Sequence, residues 1–210
     1  TLSTATYTMY TSPNFDGLGM GATPANQPKG VSLACLSCHD GTVAFDSLFN
    51  HPGSGSTDTI TFNPTSGTPR VDTTTGRMIN TPGGPEYPML GTNLSNDHPI
   101  SMTIPCGPDP QFNGICANLD QAALTAGKVS FLTRDASTYP LPSDIRNRLR
   151  AYPSVAGGAY IECASCHNPH IGDTESTRFL RLASWNTADP AYSATDRNAG
   201  SLICLSCHEK

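Results

Sequence analysis

Six of the eight cysteines in this 210-residue chain fall into three identical C-x-x-C-H spacings. On a helix the two cysteines and the histidine lie at positions i, i+3 and i+4, which places all three on one face. Two thiols on one face can bond to the two vinyl groups along one edge of a porphyrin, and the histidine can bind the iron from the proximal side. This spacing is the attachment signature of c-type haem. The motifs start at Cys35, Cys163 and Cys204 and end at His39, His167 and His208.

Two other kinds of site use paired cysteines, namely zinc sites and redox dithiols. A zinc site needs paired C-x-x-C units but does not require a histidine directly after each of them. A thioredoxin-like dithiol occurs once, inside a β-α-β pattern. The sequence therefore predicts three covalently bound haem c groups, here called haem 1, haem 2 and haem 3 in motif order. The cysteines expected to bind them are Cys35, Cys38, Cys163, Cys166, Cys204 and Cys207.

The histidine count predicts that each iron has two histidine ligands. The chain has six histidines. Three haems need three distal ligands, and three histidines remain outside the motifs. A proline beside each of them limits the local backbone. The five methionines are the rival distal ligands, as in cytochromes with one haem. The expected iron ligands are His39, His167 and His208 on the proximal side, and His51, His98 and His170 on the distal side.

The pairing of distal histidines with haems follows from sequence separation. His170 is only three residues from His167, so we expect it to bind the iron of haem 3 and not that of haem 2. His98 is then left for haem 2. His51 could fold back over haem 1 or be donated to a haem of another subunit.

The two remaining cysteines, Cys106 and Cys116, lie at the ends of a Pro/Gly-rich loop and are followed by no histidine. Such a loop is typical of a disulfide in an exported protein. Two free buried thiols are the alternative.

Composition predicts a chain that is mostly irregular and loop-rich, with short α-helices and few β-strands around a haem core. Hydrophobic residues make up 37% and charged residues 14%, while Gly (19) and Pro (18) are plentiful. A thin protein core needs added apolar surface, and a porphyrin face supplies it. The net charge of −5 argues against nucleic-acid binding, and no apolar run is long enough to span a membrane. Because the chain starts at Thr1, we expect a mature form without its export signal, with a trimmed chain as the alternative.

The pattern of apolar residues predicts several short elements between the motifs. Asp120 and Gly127 mark the ends of one helix, and Ser143 is the expected cap of another, in which Ile145 and Leu149 share a face. Residues 1–30 are expected to be extended chain lying over a neighbouring surface. The predicted helices cover residues 31–39, 119–128, 143–152 and 175–184, and the predicted strands cover 57–62 and 128–132.

The positions of the motifs suggest three regions. Residues 1–55 form an N-terminal segment with haem 1, and residues 56–160 form a haem-free linking region with the disulfide loop and His98. Residues 161–210 carry the pair of haems 2 and 3.

Residues 163–170, with the pattern C-x-x-C-H-x-P-H, and the third motif about 40 residues later resemble the doubled C-x-x-C-H domain of exported bacterial and archaeal multihaem cytochromes. Residues 96–100, Asn-Asp-His-Pro-Ile, resemble the upstream distal-ligand motif of that family. The resemblance covers roughly residues 90–210 and, less specifically, 28–52. It implies closely stacked haems with two histidine ligands each and little regular secondary structure. Some members form extracellular filaments, and others are periplasmic carriers or parts of surface conduits.

Together these patterns predict one-electron transfer and no enzymatic activity, because six-coordinate iron has no open position for a substrate. The expected form is a subunit of an extracellular or cell-surface conducting filament, with other redox proteins, extracellular acceptors and further copies of the chain as partners. The third motif ends two residues before Lys210, which would leave one edge of haem 3 for a neighbouring subunit to cover. A soluble periplasmic carrier is the alternative. A multihaem reductase and a haem sensor or storage protein are weaker alternatives.

Overall fold

A computed structural model of the chain defines the fold of part of the sequence, mainly around the first two motifs. Two compact units are present: unit 1 contains residues 1–10 and 26–98, and unit 2 contains residues 11–25 and 99–210. Much of the described chain is neither helix nor strand, which confirms the prediction of a loop-rich fold for these residues. The described residues are 2–11, 27–44, 71–72, 74–79, 89–104, 116, 118–132, 145–153, 158–170, 179–181, 203 and 206–207.

Unit 1 is built on helix α1 (Gly30–His39), which confirms the helix predicted over residues 31–39. The helix ends at Asp40, whose N–H donates to the carbonyl of Leu36 over 2.8 Å. The chain then turns at Gly41 with a φ of +73°, where a Cβ would lie only 2.5 Å from the sulfur of Met89. Only glycine fits this turn without displacing that side chain.

Unit 2 is built on a small open antiparallel sheet with the strand order β1-β4-β3-β2. Met102 pairs with Ile161, Tyr152 with Tyr160, and Ser130 with Ala151. The unit also contains helix α2 (Gln121–Thr125) and helix α3 (Cys163–Cys166). The strands are β1 (Met102–Thr103), β2 (Ser130–Phe131), β3 (Arg150–Pro153) and β4 (Ala159–Ile161).

The core of unit 2 includes residues of β3 and β4 and extends to the third motif. Cys207 of the third motif, Ile203 and Ile161 of β4 pack against the core while remaining partly buried. The core therefore contacts the third motif directly and the second motif only through the strand that precedes it. Its buried members are Ile104, Leu119, Leu124, Leu132, Leu149, Ala151 and Ala159.

The helix predicted over residues 143–152 is wrong. Residues Ile145–Asn147 form a single 3-10 turn, and the chain then enters strand β3. Ile145 is 54% exposed and Leu149 only 1%, so these two side chains do not share a face. Strand β3 pairs with β2 on one side and β4 on the other, and these non-local hydrogen bonds outweigh the local helical spacing. Ser143, the predicted cap, lies outside the described residues.

The helix predicted over 119–128 is confirmed in type but is shorter, as α2. The side chain of Asp120 caps it by accepting from the N–H of Ala123 over 2.9 Å, and Gly127 ends it with a φ of +73°. The strand predicted over 128–132 is confirmed as the shorter β2.

The helix predicted over 175–184 is wrong at its described residues, 179–181. Phe179 has a φ of +56°, and Leu180 forms an antiparallel bridge with His167. At these positions the chain is not helical and instead forms backbone hydrogen bonds with the second motif. The remainder of this prediction and the strand predicted over 57–62 lie outside the described residues.

Among the described residues, no helix combines the length and the apolar character needed to cross a membrane. The division into regions 1–55, 56–160 and 161–210 stays a prediction.

We expect the Leu149→Ala variant to lower the free energy of unfolding by about 2–5 kcal/mol, because it empties a fully buried site. The control is Ile145→Ala, which truncates an exposed side chain and should change that free energy by less than about 0.5 kcal/mol. Denaturant titration followed by circular dichroism measures both. Equal losses in the two variants would restore the helical interpretation of this segment.

Candidate functional site

Helix α1 contains the whole first motif. Cys35 and Cys38 are partly buried, and His39 is exposed at the last position of the helix. Ser32 and Leu36 of the same helix are fully buried and anchor it in unit 1.

The end of α1 is held by a buried carboxylate directly after the motif histidine. Asp40 accepts hydrogen bonds from the Ser3 hydroxyl over 2.5 Å, from the Tyr7 hydroxyl, and from both the N–H and the hydroxyl of Thr42 over 2.8 and 2.7 Å. The carbonyl of His39 accepts from the N–H of Leu90 over 2.7 Å. These contacts restrain the backbone at the point from which the histidine side chain projects.

The hydrogen bonds of Asp40 determine its charge state. Burial alone raises the pKa of this carboxyl, but the bonds from Ser3, Tyr7 and Thr42 outweigh it and hold the pKa below its ordinary value of 3.8. Burial and the bond to Asp40 raise the pKa of Tyr7 to about 12. The pair is therefore a carboxylate and a neutral phenol over the ordinary pH range.

The N-terminal segment, residues 2–11, lies against its own unit. The N–H of Ser3 donates to the buried hydroxyl of Ser37 over 2.8 Å, and that hydroxyl donates to the carbonyl of Leu33 over 2.8 Å. Thr8 exchanges backbone hydrogen bonds with Thr92 and Leu94, at 2.9 and 2.8 Å. The surface expected beneath this segment is thus supplied by the same chain.

The second motif follows strand β4 with one residue between them. Helix α3 contains Cys163 and Cys166, which are partly buried, and His167 follows it as an exposed residue. The N–H of His167 donates to the carbonyl of Cys163 over 3.0 Å, so the backbone keeps the two ends of the motif together.

A reciprocal cap starts helix α3. The side chain of Glu162 accepts from the N–H of Ser165, and the hydroxyl of Ser165 accepts from the N–H of Glu162 over 2.9 Å. The hydroxyl of Ser101 donates to the Glu162 carboxylate over 2.9 Å, and all three side chains are buried. A helix of four residues is unstable alone, so these bonds are needed to form it.

The other end of α3 is held by Arg181. Its N–H donates to the carbonyl of Cys166 over 2.7 Å, and its Nε donates to the carbonyl of Ala164 over 2.9 Å. Its Nη1 donates to the carbonyl of Arg146 over 2.8 Å, which joins α3 to the turn before β3. The N–H of Asn168 completes the contact by donating to the carbonyl of Phe179 over 2.6 Å.

The third motif is described only at two of its residues, the buried Ser206 and the partly buried Cys207. Cys204 and His208 lie outside the described residues. Ser206 occupies the same motif position as Ser37 and Ser165, and all three serines are buried. Sequence reasoning missed these serines, although the recurrence of C-x-S-C-H in all three motifs was a visible signal.

The structure describes two of the three predicted distal histidines. His98 and His170 are exposed, and the N–H of His170 donates to the side chain of Asn168 over 3.1 Å. Burial raises the pKa of Asp97, beside His98. His51 lies outside the described residues, as does Cys106, whereas Cys116 is disulfide-bonded. The pairing of histidines with haems and of Cys106 with Cys116 stays a prediction.

The geometry of the first two motifs fits covalent haem attachment. In each of them two partly buried cysteines lie on a short helix, and an exposed histidine stands at the last position of that helix or directly after it. A redox dithiol needs a thiol of lowered pKa. In the first motif burial raises the pKa of Cys38, with smaller contributions from Asp40 and Cys35. Within the described part of the chain, no three His, Cys, Asp or Glu side chains are grouped to hold a metal ion.

Comparison with known proteins finds no family model and no curated protein that matches the chain. The chemistry of the motifs and their geometry therefore carry the functional interpretation.

We expect Asp40→Asn to lower the free energy of unfolding by about 1–3 kcal/mol near neutral pH, since bonds to a charged acceptor are lost. The folded-state pKa of Asp40 lies below its ordinary value of 3.8, so the carboxylate stabilises the fold above that pH. This contribution disappears as the pH falls through the folded-state pKa. The difference between wild type and variant, measured by denaturation across pH, should therefore shrink below about pH 4.

Asp72→Asn is the matched control. Asp72 accepts from Thr74 and Thr75 in an exposed turn, where an asparagine side chain can accept the same hydrogen bonds. A loss as large as that of Asp40→Asn would contradict the special role of the buried carboxylate.

Proposed function

We propose that the chain is a c-type cytochrome with three haems that transfers electrons one at a time between closely spaced irons, each bound by two histidines. The three C-x-x-C-H motifs carry this proposal. The first two motifs support it, because their histidines are exposed and their cysteines are only partly buried.

In this function the chain binds, orients and shields its cofactors. Cys35 and Cys38 hold haem 1, and Cys163 and Cys166 hold haem 2, while Cys204 and Cys207 hold haem 3. The bound haem supplies the one-electron chemistry. The rigid helix ends near Asp40 and Glu162 keep the proximal histidines in place, which limits movement of the iron ligands during electron transfer.

A second histidine on each iron makes electron transfer the favoured function over reduction of a small substrate. His51, His98 and His170 provide the three distal ligands that the count requires. With both axial positions filled, no position remains for a substrate. A multihaem reductase would need one iron with a free position.

The resemblance to exported multihaem cytochromes supports an extracellular or cell-surface location and assembly into a filament, with a periplasmic carrier as the alternative. The N-terminal segment adds nothing to the filament proposal, because Ser3 and Thr8 have hydrogen-bonding partners within unit 1. Ligation by a histidine of the next subunit would make assembly and iron coordination one event. Contact between unlike surfaces of successive subunits builds a fibre.

The purified protein should have a mass above its 22.1 kDa polypeptide by three haem masses. Replacing Cys163 and Cys166 together by alanine should remove one haem mass, whereas replacing Cys106 and Cys116 together should remove none. Intact-mass spectrometry under denaturing conditions measures each. Zinc or free thiols at the motif cysteines of the wild type would overturn the proposal.

The absorption spectrum of the reduced protein should be that of low-spin haem, and carbon monoxide should not change it. The proposed reason is that two histidines occupy both axial positions of each iron. An iron with one free position binds carbon monoxide and shifts its Soret band. A Soret shift that corresponds to one carbon monoxide bound per protein would favour a multihaem reductase over a protein that only transfers electrons.

His51→Ala tests ligation between subunits. If the wild type forms filaments, electron microscopy of the variant should show monomers, and its spectrum should show one high-spin haem of three. Filaments of normal length that contain only low-spin haems would exclude donation of His51 to a neighbouring subunit.

A further inference from the structure

Two positive side chains lie beside the second motif without an anionic partner among the described residues. Arg181 is only 4% exposed; its Nε and Nη1 donate to backbone carbonyls, and its side chain is also hydrogen-bonded to that of Tyr152. The Nε of Arg150 is the one buried side-chain nitrogen or oxygen in the described part of the chain that has no hydrogen-bond partner. Burying an unpaired donor or charge costs free energy, so a site of this kind indicates a missing acceptor.

Strand β3 brings these groups together at helix α3. Arg150 and Tyr152 alternate with Ala151, so they lie on the face of the strand opposite that fully buried alanine. Helix α3 packs against this strand. The Tyr152 hydroxyl donates to the carbonyl of Ala164 over 3.4 Å, the same carbonyl that accepts from Arg181.

The charges of the two arginines act on each other. Burial lowers the pKa of Arg181, and the positive charge of Arg150 lowers it further. Two like charges at a buried site repel, and a shared anion between them would reverse that effect. A carboxylate is the anion whose planar pair of oxygens matches the guanidinium group.

We propose that Arg150 and Arg181 bind a haem propionate, supplied by haem 2 or haem 3 of unit 2. The inference rests on the proposed function, because the haems bring the carboxylates. Both haems are expected in the unit that contains the two arginines, since Cys163, Cys166 and Cys207 all belong to unit 2. The arginines have two consequences for the haem: they keep its propionate ionised, and they favour the reduced iron by offsetting the added electron.

Arg150→Gln in the haem-loaded protein tests the proposal, because it removes a positive charge whose buried Nε has no hydrogen-bond partner in the described part of the chain. Removing its charge should lower the reduction equilibrium constant of one haem about tenfold, which is about 59 mV for one electron. The same haem should gain a pH-dependent potential, because its propionate then takes up a proton on reduction. The potentials are measured by spectroelectrochemical titration at several pH values.

Two variants serve as controls. Arg148→Gln removes the same charge two residues away, where the guanidinium lies 5.1 Å from the centre of the Phe131 ring, and should leave all three potentials unchanged. Arg150→Lys keeps the positive charge and should retain most of the wild-type potential. A merely structural role for Arg150 would not distinguish lysine from glutamine in this way.

The source of the carboxylate is identified by repeating Arg150→Gln in the protein that lacks Cys163 and Cys166. If the change in potential vanishes, haem 2 supplies the propionate, and if it persists, haem 3 does. A structure of the haem-loaded protein should show a propionate oxygen within about 3.2 Å of an Arg150 nitrogen.

Three haems with unchanged potentials in Arg150→Gln would overturn this inference and leave the proposed function intact. A wild-type potential that follows the concentration of added phosphate would overturn it too, by showing that the site takes a free anion. A protein without bound haem would overturn both proposals.

Discussion

Helices α1 and α3, which carry the first two motifs, are too short to be stable by themselves. The described structure around them depends on the buried polar groups that hold their ends. Helix α3 has four residues. Formation of the first helical turn restricts several residues for a single hydrogen bond, so such a helix needs partners outside itself. Glu162 and Ser165 supply them at its start, and Arg181 supplies them at its end. The position of the second motif is therefore set by residues outside its C-x-x-C-H residues as well as by Ser165 within them.

Unit 1 meets the same requirement with different residues. Helix α1 has ten residues, yet its end is also fixed by a buried carboxylate, that of Asp40. The donors come from a distant part of the chain, the N-terminal segment with Ser3 and Tyr7. In both units the motif serine is buried and the cysteines are only partly buried.

The apolar core of unit 2 is small, and its location explains its role. Leu149 and Ala151 are fully buried beneath the strand that also carries Arg150 on its other face. The core holds strand β3, and strands β3 and β4 in turn hold helix α3. The third motif packs on the same core through Cys207. In the proposed function, such a shared support would help to hold haems 2 and 3 at a fixed separation. The same strand places positive charge where a cofactor carboxylate would be stabilised.

The sequence by itself determined the proposed chemistry, because covalent haem attachment requires a local spacing of cysteine and histidine that any fold must respect. It also predicted elements whose signals are local, such as α1 and the helix between Asp120 and Gly127, since a capping side chain and a glycine of positive φ act within a few residues. Only the tertiary structure decided that residues 150–153 form a strand, because the hydrogen bonds of β2 and β4 come from distant positions. The role of Asp40 was equally hidden, since its partners Ser3 and Tyr7 lie more than thirty residues away. Local spacing specifies a bond to a cofactor, whereas the burial of a charge depends on every segment that surrounds it.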